Sequence, residues 1–161
     1  MGKNKICLRD YVKDGCIFEL KEKKKEDVLK AIAEKLNELK YLKNEDSVAD
    51  IFNKLVEREK LGSTGIIKHI AIPHCKTDEI TTDMVILVGY SKSGVDFESH
   101  DGKLVHIVFA VFTRKNKVTL HLGALAAISR LVSKHSISSK IEDFLSYEKL
   151  KEITEECEYE I

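Results

Sequence analysis

Two histidines, an arginine and a hydroxyl-bearing turn are the groups of this chain whose types and spacing could do chemistry together. His74 directly follows Pro73, the only proline of the chain. Proline fixes its own φ and biases the preceding Ile72 towards extended geometry, so the Pro73-His74 step holds an imidazole at a strand end with little backbone freedom. His121 falls near the start of a predicted helix, with Thr119 as the expected N-cap. There, free N–H groups and the positive end of the helix dipole favour an anion. Arg58 closes another predicted helix just before the turn Gly62-Ser63-Thr64-Gly65. Neutral imidazole is a competent nucleophile at neutral pH. A transferred phosphoryl group carries negative charge that hydroxyls, backbone N–H groups, an arginine and a second imidazole would stabilise. Brought together, these residues make a phosphoryl-handling site.

Other chemistries fit the sequence less well. His69, His74 and Cys75 lie close enough in sequence to suggest a metal site. On a strand, though, two residues five apart point to opposite faces. A serine hydrolase built on Ser63 or Ser129 lacks the strand–turn–helix elbow that exposes such a nucleophile. The Gly62-Ser63-Thr64-Gly65 turn is not a P-loop, because the lysine-Ser/Thr ending is missing and no strand precedes it.

Composition sets the wider frame. The 161 residues suffice for one domain with a hydrophobic core, spanning residues 1–161. Twenty-seven basic and 27 acidic side chains balance to a formal net charge of zero, which argues against a broad nucleic-acid footprint. Cys7, Cys16, Cys75 and Cys157 form no C-x-x-C pair or zinc-ligand pattern, so free thiols in a reducing cytosol are expected. No signal-peptide run and no apolar stretch of membrane-spanning length is visible, which predicts a soluble, cytoplasmic protein with no direct membrane insertion.

The elements that must position the candidate groups follow from periodicity. A short strand is expected at Cys16–Leu20. Apolar residues at three- and four-residue spacing predict a helix from about Glu26 to Leu42 and a second from Val48 to Lys60, with Ser47-x-x-Asp50 as a capping box. Ile66 to Ile72 reads as one strand or two short pieces. Met84–Tyr90 and Leu104–Phe112 are continuous apolar runs that read as buried central strands. Ser91-Lys92-Ser93-Gly94 reads as a turn after the first of them, and His100-Asp101-Gly102-Lys103 as a hairpin-like turn. A third helix is expected from Leu120 to about Lys134. A short helix after Ser139-x-x-Glu142 and a last one from Tyr147 to about Glu156, capped by Ser146, complete the chain. This order predicts an α/β fold with a sheet covered by helices. It lacks the regular βαβ alternation of a doubly wound nucleotide fold.

With these residues in view, the chain resembles a known family. Leu55-Val56-Glu57-Arg58-Glu59, then Gly62-Ser63-Thr64-Gly65-Ile66 and Ala71-Ile72-Pro73-His74, are similar to the signature of the fructose/mannitol-type enzyme IIA domains of the bacterial phosphoenolpyruvate-dependent sugar phosphotransferase system. That family includes the nitrogen-regulatory enzyme IIA proteins. The likeness continues at Gly94-Val95-Asp96-Phe97, at Asp101-Gly102, and at His121-Leu122 with Ser129-Arg130-Leu131. The resemblance implies that His74 accepts a phosphoryl group from the histidine phosphocarrier protein and passes it to a cysteine of an enzyme IIB. It implies a mixed β-sheet flanked by helices on both faces, that His121 assists, that Arg58 stabilises charge, that Ser63 and Thr64 bind the phosphoryl group, and that no metal or organic cofactor takes part. A regulatory target protein in place of enzyme IIB, or a binding domain of the same fold that has lost transfer, are the alternatives it leaves open. One departure stands out. Where the family usually has Gly-x-Gly, this chain has Ile67-Lys68-His69, which removes φ freedom at two positions.

Overall fold

The computed structural model describes residues 5–156 and 159–160. Its centre is a pair of long antiparallel strands, β5 (Met84–Val95) and β6 (Val105–Thr113), preceded in the chain by β1 (Lys5–Ile6), β2 (Ile17–Glu19), β3 (Ile70–Ala71) and β4 (His74–Lys76). β2 joins the free edge of β5 in parallel, and both β3 and β4 join the other edge of β6 in parallel, giving a mixed five-stranded sheet. A separate two-stranded ribbon pairs β1 with β7 (Tyr159–Glu160).

Period-two alternation sends the two sets of side chains of β5 and β6 into two different cores. Met84, Ile86, Val88, Ile107, Phe109 and Val111 pack beneath α3 (Val118–Lys134) and α4 (Tyr147–Thr154). Val85, Leu87, Val108, Ala110 and Phe112 pack beneath α1 (Lys25–Glu38) and α2 (Ser47–Lys60). Both faces are therefore covered by helices, as the unbroken apolar runs required.

Several boundaries differ from expectation for local reasons. α1 stops at Glu38 rather than Leu42. Tyr41 N–H donates to Leu36 O and Lys40 N–H to Asn37 O, with Lys40 at φ 65°. This is a Schellman stop in which lysine takes the place usually filled by glycine. Ser47 does not cap α2. The N-cap is Asp46, and the Ser47 hydroxyl donates instead to Glu79 Oε2 at 2.7 Å. Ser91–Gly94 is not a turn between elements but lies within β5, where the pairing with β6 shifts register between Tyr90 and Val95. Gly94 takes φ 85° there, and its N–H donates to Ser91 Oγ at 3.0 Å. Ser139 lies inside a kinked 3-10 segment, Ile137–Phe144, and caps nothing, whereas Ser146 accepts from Lys149 N–H and caps α4 as expected.

The thiols also depart from expectation. Cys7 is in a disulfide. Cys16 and Cys75 are free and buried. Cys157 lies outside the described residues.

Candidate phosphoryl-transfer site

His74 is positioned by an interrupted edge strand. β3 and β4 continue the same parallel register along β6, from Ile70 opposite Ile107 to His74 opposite Val111. Ile72 and Pro73 fall in the gap. Proline has no N–H to give to a ladder, and a sheet edge tolerates that. The Pro73 carbonyl still accepts from Val111 N–H at 2.9 Å. Pro73 therefore re-aims the chain at this edge without breaking register. The reading of Ile66–Ile72 as strand pieces holds for Ile70–Ala71. Ile67 makes only an isolated bridge to Ile70.

The imidazole of His74 is fixed at both nitrogens. Nδ1 lies 2.8 Å from Ile72 O. A carbonyl only accepts, so Nδ1 carries the proton and Nε2 keeps its lone pair. Arg58 Nε donates towards that Nε2 at 3.4 Å, and Arg58 Nη1 donates to Gly62 O at 2.8 Å. The arginine thus reaches from the last turn of α2 with its orientation set by the turn that follows. Burial lowers the His74 pKa. The Arg58 charge adds to that, against opposing contributions from the Ile72 carbonyl and the Glu59 carboxylate.

His121 approaches from the opposite face of the sheet. Its ring centroid lies 5.5 Å from that of His74, at 60° between the planes. α3 begins two residues earlier than expected, with Lys117 rather than Thr119 as N-cap, and His121 N–H already donates to Lys117 O. His121 therefore acts through its side chain, not as part of an open helix N-terminus. Its Nδ1 is 2.9 Å from Thr113 Oγ1, the last residue of β6. Burial pulls its pKa down to about 4, helped by the nearby His74 and Lys76. Both imidazoles are thus neutral at pH 7.

Together these groups line an open depression of about 640 Å³. Leu61 and Leu122 stand on its rim, 85% and 61% exposed, and Lys54, Glu57 and Lys76 complete the wall. Exposed leucines next to a reactive group suit a partner protein better than a small solute. Cys75, beside His74, points into the α1–α2 core, and burial pushes its pKa up to about 12, so it is an inert thiol.

The hydroxyls of the Ser-Thr turn are used differently from expectation. Ser63 Oγ donates to Phe97 O at 2.7 Å and accepts from Gly65 N–H at 3.0 Å. Thr64 is buried, and its hydroxyl donates to Glu59. Both build the turn, and neither lines the depression. His69 is not a third imidazole of the site. It pairs with His106, at 5.4 Å between ring centroids, near the start of β6. Among the described residues no group of three or more His, Cys, Asp or Glu is placed to hold a metal ion.

Sequence reasoning did not single out Glu59, which the fold places next to the site. It is buried, holds Lys25 Nζ at 2.9 Å, and accepts from Thr64 N–H. The signal was present. Ile51, Leu55 and Glu59 recur every four residues, which puts a carboxylate on the buried stripe of α2.

The molecule is thus an α/β domain of a definite class, a mixed sheet covered on both faces with a tautomer-fixed histidine at its edge between an arginine and a second imidazole. Comparison with known proteins gives this class its family. Residues 11–157 match the model described as phosphoenolpyruvate-dependent sugar phosphotransferase system, EIIA 2, and the chain belongs to that family. It is 35% identical over 122 residues to a nitrogen regulatory protein of Bradyrhizobium diazoefficiens, covering 76% of each chain. It is 32% identical over 124 residues to the fructose-specific EIIABC component of Bacillus subtilis, 77% of this chain but only 19% of that protein's length. Among solved structures it superposes on nitrogen regulatory protein IIA-Ntr from Neisseria meningitidis with a TM-score of 0.68 at 26% identity, covering 86% of this chain and 91% of the other. IIA mannitol from Escherichia coli shares the fold, with a TM-score of 0.70 at 20% identity and coverage of 88% and 97%. No helix among the described residues is long and apolar enough to cross a membrane.

Proposed function

We propose that this protein is a phosphocarrier of the phosphotransferase system, with Nε2 of His74 as the phosphoryl acceptor. The observation that carries this reading is the protonation pattern of His74. Nδ1–H is committed to Ile72 O, and the Nε2 lone pair opens on the depression beside Arg58. In the forward step Arg58 Nε turns from Nε2 to an oxygen of the incoming phosphoryl group, and the lone pair so released attacks the phosphorus of a donor phosphohistidine on the histidine phosphocarrier protein. A new N–P bond forms, and the donor N–P bond breaks with its electron pair returning to the donor imidazole. Positive charge that develops on the His74 ring is stabilised at Nδ1–H by the Ile72 carbonyl. Arg58 and the His121 ring stabilise the negative oxygens in flight. In the second step a partner thiolate, as on an enzyme IIB, attacks the same phosphorus, and the electron pair returns to Nε2. Family membership supports the reading, and a relative's solved complex of enzyme IIA mannitol with phosphorylated enzyme IIB mannitol fits the second step.

A second reading is favoured by the lengths of the relatives. The Bradyrhizobium relative that this chain matches over three quarters of each chain is a nitrogen regulatory protein. In that reading the same phosphorylation of His74 controls binding to a regulatory target rather than sugar uptake. The departure at Ile67-Lys68-His69 does not weigh against transfer, because His69 faces His106 away from the depression.

Incubation with phosphoenolpyruvate, enzyme I and the phosphocarrier protein, followed by intact mass measurement, tests the shared step. A mass gain of one phosphoryl group that disappears in His74→Ala is expected. No gain, with partners active on a control enzyme IIA, overturns the carrier reading. Transfer onward to an enzyme IIB, against phosphorylation-dependent capture of a regulatory target, separates the two readings.

A further inference from the structure

We infer that Glu59 is the positioning residue of the site, holding His74 and Arg58 in register through a closed circuit of hydrogen bonds. The circuit starts at its carboxylate, which accepts from Thr64 N–H at 3.3 and 3.2 Å and from the Thr64 hydroxyl. The Thr64 carbonyl accepts from Ile72 N–H at 3.1 Å. The Ile72 carbonyl accepts from His74 Nδ1–H at 2.8 Å. His74 Nε2 accepts from Arg58 Nε at 3.4 Å, and Arg58 is covalently next to Glu59. The ring therefore fixes three things the chemistry needs: the course of the chain into Pro73, the His74 tautomer and the guanidinium approach. It contains no group that touches the reacting atoms except its last two.

The far side of the carboxylate is held just as firmly. Lys25 Nζ pairs with Glu59 Oε2 at 2.9 Å, with side chains 16% and 6% exposed, and lies 5.5 Å from the centroid of Phe97. The Phe97 carbonyl accepts from Ser63 Oγ, and Lys24 bridges to Asp96. The start of α1, the end of α2, the Ser63–Gly65 turn and the end of β5 thus meet at one ion pair. A buried ion pair contributes little net stability, because desolvation offsets the attraction between the charges. A lysine in the first turn of a helix also opposes the helix dipole. Both points argue that the pair is retained for geometry rather than stability.

The inference rests on the carrier reading for its catalytic consequence, but its structural part can be tested without transfer. Two double variants replace the ion pair as a unit. Lys25→Met/Glu59→Leu removes every acceptor for Thr64, whereas Lys25→Met/Glu59→Gln keeps a side-chain carbonyl in reach. The first readout is the hydrogen-bonded His74 Nδ1–H resonance in proton NMR. It is expected to persist in the Gln variant and to vanish in the Leu variant, while circular dichroism shows both folded. The second readout is the phosphoryl uptake rate. A loss of about tenfold or more in kcat for the Leu variant is expected, with the KM for the donor protein unchanged and most of the rate recovered in the Gln variant. Should the Leu variant fail to fold, Thr64→Val removes only the hydroxyl arm of the circuit and is expected to weaken the same resonance. A folded Leu variant that keeps both the resonance and the wild-type rate overturns the inference. So does equal impairment of the Leu and Gln variants, which would show charge rather than the circuit to be at work. Failure of the wild type itself to take up phosphoryl removes the carrier reading and leaves the NMR comparison to judge Glu59.

Discussion

The molecule contains two histidine pairs of nearly identical internal geometry and opposite use. His74 and His121 sit 5.5 Å apart at 60°, and His69 and His106 sit 5.4 Å apart at 64°. In each pair both Nδ1 atoms are engaged. In the first, the partners are Ile72 O and the Thr113 hydroxyl, and Arg58 addresses the remaining nitrogen of His74. In the second, both partners are backbone carbonyls, Leu104 O at 2.9 Å and Ser91 O at 2.8 Å. The His69 carbonyl also accepts from His106 N–H and Ile107 N–H. The second pair therefore joins β3 to β6 and β6 to β5, while the first presents a lone pair to an open depression. Two imidazoles in contact do not define a reactive site. The guanidinium, the burial and the leucine-rimmed opening are what set the proposed acceptor pair apart.

The largest expected effect breaks this comparison at its active end. His74→Ala should lower phosphoryl uptake to background, because no other described imidazole presents an unprotonated nitrogen to the arginine. His106→Ala should leave uptake within about twofold, since its ring acts only on strand pairing. Single-turnover uptake measured side by side decides it. Loss of transfer in His106→Ala would mean that the two ends of β6 are coupled and that the contrast is false.

Next in size is Arg58→Ala. Removing a preorganised cation from a transferring phosphoryl group should slow uptake by about 100-fold. The fold should survive, because the guanidinium lies at the surface end of α2 rather than in either core. Arg58→Lys should recover only part of the rate, since an ammonium cannot bond both His74 and Gly62 from one rigid plane. Full recovery by lysine would reduce the arginine to a point charge.

How much of this was legible in the sequence follows the range of the forces involved. The alternation of Met84–Val88 and Ile107–Phe112 between two cores, the 3.6-residue stripes of α1 and α2, and the Ser146 cap are short-range signals, and the folded chain keeps them. Pro73-His74 is also local, and it leads to the centre of the site. What could not be read depends on partners far away in sequence. β4 is three residues long and exists because β6 pairs with it. The extension of β5 through Ser91–Gly94 is set by its pairing with β6, although serine and glycine locally favour a turn. Glu59 looks like one charge among several at a helix end until Lys25, 34 positions earlier, is brought against it.

A smaller effect concerns pH. His121 is held at about 4 in the folded protein, against 6.5 for an ordinary histidine, and His74 is lowered as well. Between pH 4 and 6.5 the unfolded chain binds a proton at His121 that the folded chain does not, so this contribution to stability is fully present above about pH 6.5 and is lost as the pH falls through the window. The midpoint of thermal unfolding should therefore drop on acidification over this range. His121→Gln, which cannot titrate, should flatten the slope. An unchanged slope in His121→Gln would show that this buried ring carries no such difference between the folded and unfolded chain.

The smallest effect lies at His69, where the chain departs from the glycine pattern of its family. His69 adopts φ 67°, a left-handed conformation that costs an ordinary residue about 1–2 kcal/mol. Two interactions offset that cost. The ring bonds Leu104 O, and the carbonyl serves two N–H groups of β6. His69→Ala removes the side-chain bond and keeps the backbone cost, so it should destabilise by about 1 kcal/mol. His69→Gly removes the same bond but also relieves the left-handed cost, partly countered by greater freedom in the unfolded chain. It should therefore be more stable than the alanine variant by about 1 kcal/mol. Urea unfolding with a common slope reads the difference as a shift in midpoint. Phosphoryl uptake should be the same in both variants. If alanine proves as stable as glycine, the backbone at position 69 relaxes once the ring is gone, and the imidazole itself imposes the turn. If glycine is the more stable, β3 imposes the turn and the ring merely makes it tolerable for histidine.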